Sequence, residues 1–194
     1  MSATKIINPF LQLAKQAIEE YVNKKNVLPL PPNLPSEMKQ RAGVFVSLHK
    51  KSDHSLRGCI GTYFPTCKNI GAEIIQNAIS ACSTDPRFPA VTPNELQDLE
   101  ITVDILSEPK PFPQNPVYLS SLDELPSSLF SQFLNPKKYG LIIKSLSGQV
   151  GLLLPDIREI KTPQQQIEIC CQKAGIQPRE SVEIYRFTVK RHKE

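Results

Sequence analysis

Prolines place the strongest constraint on how this chain can fold, because they interrupt helices and central strands. The sequence holds 18 prolines in 194 residues, and several cluster in residues 27–36 and 109–116. Neither segment can continue a helix, so we predict that both are extended internal connections within a single domain of residues 1–194. The P-x-x-P spacings of residues 27–36 leave a second interpretation open, a ligand segment for an SH3-like partner.

Between these connections the sequence shows helical and strand-like patterns. Helices are predicted after the N-cap Asn8, over residues 69–82 with Asn69 as N-cap, and between the Thr162–Gln165 capping box and Gly175. Strands are predicted over residues 41–49, 56–63, 99–106, 139–155 (a pair around a Ser-Gly turn) and 181–191. Short helical turns are expected within residues 121–134. This order of hairpin, helix and strand, followed by strand pair, helix and strand, predicts an α+β fold built from a duplicated unit.

Charge and cysteine usage exclude several classes of protein. The net charge is +4, but three positive charges and one negative lie in residues 190–194, which we interpret as a basic tail containing His192. The rest of the chain carries +2, which argues against nucleic acid as a partner. Five cysteines, without any C-x-x-C, indicate reduced thiols rather than a disulfide framework. With no signal peptide and no long apolar run, we expect a cytoplasmic protein without a membrane association.

Residues 56–61, LRGCIG, resemble a strand, although glycines weaken a strand unless a bulge or a close approach requires them. The alternation of a strand would separate Leu56, Gly58 and Ile60 from Arg57, Cys59 and Gly61. If the apolar pair faces the core, Arg57 and Cys59 point out of it about 7 Å apart, near enough for the guanidinium to favour a thiolate. We therefore predict a small pocket with Cys59 at its base and Arg57 at its rim, where Gly58 and Gly61 leave room for another backbone or for a ligand. The alternative is that Cys59 only fills space and the glycines mark a bulge.

A second candidate segment is DPRFP, residues 85–89, whose two prolines make it rigid. Asp85 can accept hydrogen bonds from a local turn, and Arg87 can pair with it or bind an anion. The alternative is a structural connection in which Phe88 fills the core.

Other candidates carry less chemistry. Side chains that can ligate a metal lie on or near the hairpin turn, namely His49, Asp53, His54 and Cys59. Their spacing matches no known ligand pattern, so neither a metal nor a cofactor is predicted. Cys170 and Cys171 lie on the apolar face of a predicted helix and are expected in the core. Nucleotide-binding and hydrolase motifs are absent from the sequence.

LRGCIG together with DPRF resembles the AMMECR family, whose microbial members are component A of the AmmeMemoRadiSam system. The resemblance runs from about Gly43 to Leu154 and includes GVFVSL, LEITVDILSEP, YGLII and GLLLP. It implies two unequal subdomains from repeated units around a shared, partly barrel-like antiparallel or mixed sheet. It also implies two partners, a Memo-like protein and a radical SAM enzyme, and marks LRGCIG as a functional site without supplying a reaction.

This chain departs from the family at one position, since family members often have histidine where Tyr139 stands. A tyrosine with an ordinary pKa near 10 is a poor base at neutral pH, which argues against a Cys-His nucleophile and leaves a binding role for Tyr139. We therefore expect an accessory module that binds a small anionic ligand or a modified protein or RNA segment at the Arg57/Cys59 face, beside Asp85 and Arg87. The alternative is an enzyme with Cys59 as nucleophile, activated by Arg57, for which Asp85 is the candidate proton acceptor.

Overall fold

The structure, a computed structural model, describes residues 8–113, 115–119, 132–178 and 180–193. The chain divides into two compact units. The first contains Met1–Leu106 together with Lys190–Glu194, and the second contains Ser107–Val189. Of the helical turns expected over 121–134, residues 121–131 lie outside the described residues.

The first unit is built on a four-stranded sheet. Its strands are β1 (Val44–Lys50), β2 (Leu56–Thr62), β3 (Leu99–Leu106) and β9 (Val189–Lys193), in the order β2-β1-β3-β9. Strand β1 pairs antiparallel with both β2 and β3. The predicted hairpin is thus confirmed, and β2 forms one edge of the sheet.

Two α-helices, α1 (Pro9–Lys24) and α2 (Ile70–Ser83), pack with this sheet around one apolar core. Both begin as predicted, because the Asn8 side chain accepts from the Phe10 amide and the Asn69 side chain accepts from the Ala72 amide. Short 3-10 helices, Ser36–Lys39 and Pro93–Asp98, complete the unit. The helices bury one face of the sheet, which leaves the ends and edge of β2 to the connecting segments.

The second unit contains the remaining strands. They are β4 (Lys110–Pro111), β5 (Val117–Tyr118), β6 (Gly140–Ser145), β7 (Val150–Leu153) and β8 (Ser181–Phe187). The order is β4-β8-β6-β7, and β5 also pairs with β8; all of these pairings are antiparallel. Helix α3 (Pro163–Ala174) packs on β6 and β7, beginning at the predicted Thr162 capping box and ending at Gly175 in the left-handed region. Cys170 and Cys171 of this helix lie in the apolar core of the second unit, as predicted.

The α+β class is confirmed, but the expected barrel-like shared sheet is not. The described residues form two antiparallel sheets, neither of which closes into a barrel. Each sheet holds a hairpin, followed in the chain by a helix and a third strand, with the orders β2-β1-β3 and β7-β6-β8. A shared order does not by itself demonstrate duplication, which stays a prediction.

The expected single strand over residues 181–191 is also wrong. The run divides at Thr188, whose amide donates to the Ser107 hydroxyl at 3.0 Å, so that β8 belongs to the second sheet and β9 to the first. The interpretation of His192 as part of a charged tail is wrong because residues 189–193 form strand β9 of the first sheet. His192 lies in β9, is 8% exposed, and stacks on Phe10 with ring centroids 4.0 Å apart.

Two further observations concern features considered in the sequence. Leu30 and Leu34, from residues 27–36, pack over Gly71 of α2, where a side chain would displace them. Among the described residues, no helix combines the length and the apolar character that crossing a bilayer requires.

Candidate functional site

The central feature of the first unit is the free edge of β2 at Cys59. The Cys59 amide donates to Oδ2 of Asp85 at 2.8 Å, and the Cys59 carbonyl accepts from Nη2 of Arg87 at 3.1 Å. The DPRF segment therefore supplies side-chain partners to an edge strand that would otherwise present open backbone groups. We call Ser47, Cys59, Asp85 and Arg87 the Cys59 edge.

The position of the Cys59 thiol follows from this backbone arrangement. Alternate residues of an antiparallel strand direct their backbone groups toward or away from the neighbouring strand. Because the Cys59 backbone groups point to the free edge, Cys59 and its partner Ser47 on β1 form a non-hydrogen-bonded pair, whose side chains lie close together. The Ser47 hydroxyl donates to the Cys59 sulfur at 3.2 Å, and Cys59 remains half-buried.

The two glycines of LRGCIG meet two different neighbours. A Cβ at Gly58 would collide with the backbone carbonyl of Ala81, so this glycine lets α2 lie directly on β2. A Cβ at Gly61 would collide with the ring of Phe45, which crosses the strand there. The core-facing position predicted for Gly58 is correct, and of the two occupants considered for the room beside the glycines, another backbone is the one found at Gly58, whereas a side chain fills the room at Gly61.

Arg57 does not stand at the rim of a pocket. The β1–β2 register shifts between Leu48 and His49, so Arg57 sits at a bulge, and its side chain is only 8% exposed. Its Nε and Nη2 bind the Glu95 carboxylate at 2.7 and 3.2 Å, and its guanidinium also reaches the carbonyls of Pro89 and Ala90. Arg57 is thus occupied by the segment that follows α2.

Glu95 is a residue that the sequence analysis missed. It accepts from the amide and hydroxyl of Thr92 at 2.9 Å each, in addition to binding Arg57. These bonds, the one from Arg57 foremost, lower the pKa of Glu95 to about 2. The spacing Thr92-Pro93-x-Glu95 is a capping signature that could have shown that Glu95 is fixed, although not that Arg57 is its partner.

Asp85 and Arg87 form the charged part of the Cys59 edge. Nε and Nη2 of Arg87 bind the two Asp85 oxygens at 2.9 and 2.7 Å. Asp85 is buried, and the hydrogen bonds from Arg87 hold its pKa far below the usual range despite that burial. Arg87 is 53% exposed, its pKa is raised first by its hydrogen bonds to Asp85, and its Nη2 donates to the Cys59 carbonyl, which places the guanidinium beside the Cys59 backbone. The arginine next to Cys59 is therefore Arg87 rather than Arg57.

A second carboxylate missed by the sequence analysis organises the loop after β2. Glu73 of α2 is fully buried and accepts from Thr62, from the hydroxyl and amide of Thr66, and from the amide of Cys67, at 2.6 to 3.0 Å. Burial opposes its charge, but these bonds outweigh burial and lower the pKa of Glu73. The sequence offered no signal beyond an acidic residue in the first turn of a helix.

The turn residues considered as metal ligands do not converge. Asp53 accepts from the Ser55 amide at 2.9 Å, and His54 faces Glu100 at 3.6 Å. No group of three or more histidine, cysteine or carboxylate side chains within the described ranges is arranged to hold a metal ion.

Tyr139 belongs to the second unit, directly before β6. Its backbone amide donates to the Asn135 carbonyl at 2.8 Å, and its carbonyl accepts from Gln166 at 3.0 Å. The pKa of its hydroxyl is lowered, first by Lys138 and also by Arg186 and Lys110. Tyr139 therefore sits in a cationic environment of its own.

The fold and the Cys59 edge together define an α+β protein with two antiparallel sheets, in which L-R-G-C-I-G forms an edge strand secured by D-P-R-F. The chain belongs to the AMMECR1 family, which it matches over residues 11–192. The resemblance identified from the sequence is thus confirmed.

Two relatives and one solved structure are similar to this chain over nearly its whole length. A Thermotoga maritima protein is 46% identical over 188 residues, which are 96% of this chain and 98% of that protein. Protein CA_C1420 of Clostridium acetobutylicum is 39% identical over 96% of this chain but only 36% of its own length. The crystal structure of the uncharacterized protein PH0010 from Pyrococcus horikoshii has a TM-score of 0.78 at 28% identity, covering 95% of this chain and 89% of that one.

Proposed function

We propose that this protein is an accessory binding module that uses the Cys59 edge to hold an anionic group of a small ligand or of a modified protein or RNA segment. The observation that carries the proposal is the position of Arg87, which is half-exposed, bound to the backbone carbonyl of the half-buried Cys59 and fixed by the buried carboxylate of Asp85. A guanidinium held in this way is oriented before a ligand arrives, which reduces the ordering cost of binding.

Arg87 has to provide the contact with the anion, because the hydrogen-bond donors of Arg57 are already used within the protein. The donors of Arg57 already bind Glu95 and two carbonyls, whereas Nη1 of Arg87 donates no hydrogen bond to another described residue. Cys59 would add shape and a soft contact. Gly58 and Gly61 act through packing, and the proposal does not use Tyr139.

The partners proposed for the module are a Memo-like protein and a radical SAM enzyme, which rest on the family resemblance. One comparison supports joint action with another protein. The Clostridium relative contains this domain as about a third of a longer chain, so the domain occurs there in covalent union with other sequence.

The test is the affinity of the purified full chain for a Memo-like protein and for a radical SAM enzyme, measured by titration calorimetry. We expect Arg87→Ala to weaken binding roughly tenfold, the size of an interface hot spot. Arg41→Ala is the matched control, since Arg41 is exposed in the same unit and its Nη2 contacts only the Pro65 carbonyl. Carboxamidomethylation of Cys59 in a Cys67→Ser background obstructs the same edge and leaves Arg87 intact. Absence of binding to both partners, or equal losses in the Arg41 and Arg87 variants, would reject the proposal.

A second candidate, an enzyme with Cys59 as nucleophile, is favoured by the Ser47 hydroxyl 3.2 Å from the sulfur and by Arg87, which binds the Cys59 carbonyl. The test is alkylation of each cysteine against pH, followed by mass spectrometry. Burial raises the pKa of Cys82 and Cys171 to about 11 and that of Cys170 to about 12, so these three should stay unreacted until unfolding. Rapid reaction of Cys59 at a pH well below about 8.5 supports the nucleophile; reaction of Cys59 no faster than that of Cys67 removes it.

A further inference from the structure

Arg186 of β8 is held rigidly between two aromatic rings of the second unit. Its guanidinium carbon lies 3.9 Å from the ring centroid of Phe133 and 4.2 Å from that of Tyr139. Its Nη1 donates to the carbonyls of Gln132 and Phe133 at 3.2 and 3.0 Å. Cation–π contact on both faces fixes the position of a charge that would otherwise swing on a long side chain.

The charge of Arg186 is not neutralised within the described part of the chain. Arg57, Arg87 and Arg191 each bind a carboxylate, namely Glu95, Asp85 and Asp104. Arg186 forms no such ion pair with any described carboxylate, and its Nε is buried without a hydrogen-bond partner there. Arg186 is thus fixed without a carboxylate partner among the described residues, unlike Arg57, Arg87 and Arg191.

Two lysines add to this charge. Lys110 of β4 stands directly opposite Arg186 in the β4–β8 register, and Nζ of Lys138 lies 5.2 Å from the centroid of the Tyr139 ring. The pKa of Tyr139 is lowered first by Lys138 and also by Arg186 and Lys110. Two cations therefore lie over the ring of Tyr139 and a third lies opposite one of them, close to a phenol hydroxyl that can itself donate a hydrogen bond.

We propose that Lys110, Lys138, Arg186 and the Tyr139 hydroxyl form a binding site for an anion of the phosphate class. Such an anion supplies the counter-charge that no described carboxylate provides, and it accepts hydrogen bonds from ammonium, guanidinium and hydroxyl donors at once. The site shares no residue with the Cys59 edge, so each of the two proposals is tested independently of the other.

The experiment is calorimetric titration of the full chain with inorganic pyrophosphate and with inorganic phosphate at low ionic strength, where charge interactions are least screened. We expect saturable binding that weakens about five- to tenfold in Lys110→Ala and in Lys138→Ala. Lys137→Ala is the matched control, since Lys137 is the exposed neighbour of Lys138. Arg186 is left intact because its removal would also remove the packing between two rings.

A second readout follows Tyr139 directly. Spectrophotometric titration of the tyrosines, with Tyr139→Phe subtracted, should show that bound phosphate raises the pKa of Tyr139, because an anion opposes formation of the phenolate. Lack of saturable binding to either anion overturns the site. Equal weakening in the Lys137 and Lys138 variants also overturns it, since that result describes general attraction to a basic surface.

Discussion

Asp85 accepts a hydrogen bond from the backbone amide of Cys59 at 2.8 Å, and by this contact a side chain takes the place of a further β-strand. The LRGCIG strand and the DPRF segment are therefore joined by hydrogen bonds at the edge of the sheet. Their pairing explains why Cys59 is held at the sheet edge whether or not its sulfur reacts.

Replacing Asp85 with Asn should release this edge. The change keeps the size of the side chain but removes the charge that binds Arg87, so the free energy of unfolding should fall by about 2–3 kcal/mol, somewhat below a fully buried pair because Arg87 is half-exposed. Urea unfolding measures the change. Asp53→Asn, at an exposed turn carboxylate that also caps a backbone amide, should lower the free energy of unfolding much less. Equal costs at both positions would contradict the special role of Asp85.

Gly58→Ala should be destabilising because the new methyl group would meet the Ala81 carbonyl, which is backbone and cannot rotate away. Overpacking of this kind costs about 1–3 kcal/mol, and the strand and helix have to separate to relieve it. Gly148 provides the contrast, since nothing lies within 4 Å of an added Cβ there and only its φ of +94° is unfavourable. We expect thermal unfolding to show the larger loss for Gly58→Ala.

Glu95 should contribute to stability in mildly acidic solution. Its folded-state pKa of about 2 is lower than the unfolded value of about 4.3, so the stabilisation is present above about pH 4.3 and is lost as the pH falls toward 2. In Glu95→Gln the free energy of unfolding should be lower at pH 7 and should fall less steeply between pH 5 and 2. Urea midpoints across this range give the measurement. A variant whose slope matches that of the unmodified protein would show that Arg57 does not stabilise the carboxylate.

His192 should make the first unit sensitive to a fall in pH below neutrality. Its Nδ1 accepts from the Asn8 amide group at 2.9 Å, and burial, with Lys190 nearby, lowers its pKa against the opposing effect of Glu37 and Asp104. The neutral ring is favoured on folding, so stability is complete above about pH 6.5 and decreases as the pH falls.

His192→Gln should therefore reduce the loss of melting temperature between pH 7 and 5. His49, whose pKa is also lowered by burial, should account for what remains. His54→Gln is the control, because the His54 side chain is 77% exposed. If the His54 variant changed the pH dependence more than the His192 variant, the assignment to His192 would be incorrect.

Local signals predicted most of the elements. Caps at Asn8, Asn69 and Thr162 lie within a few residues of the amides that they bind, so the sequence shows them directly. The division at Thr188 was not predictable in this way, because its amide binds Ser107, 81 positions away, and the strand pattern continues across it.

The candidate site was predicted only in part, for a related reason. The glycines of LRGCIG correctly indicated close approaches, but only the packing shows that their neighbours are Ala81 and Phe45. The regular alternation that we assumed for Arg57 fails because a bulge at that residue depends on the register with β1. Its carboxylate partner Glu95 lies 38 positions away, beyond any local pattern.

The first unit consists of residues that precede the second unit in the sequence and of residues that follow it. The hydrogen bond between Asn8 and His192 joins these two parts. During synthesis, chains emerge from the N-terminus onward. Strand β9 leaves the ribosome only after the whole second unit, so the sheet that carries Cys59 lacks its fourth strand until translation has passed residue 193. A chain shortened before β9 would keep every residue of LRGCIG and DPRF. It would nevertheless lack the fourth strand that completes the unit holding both motifs.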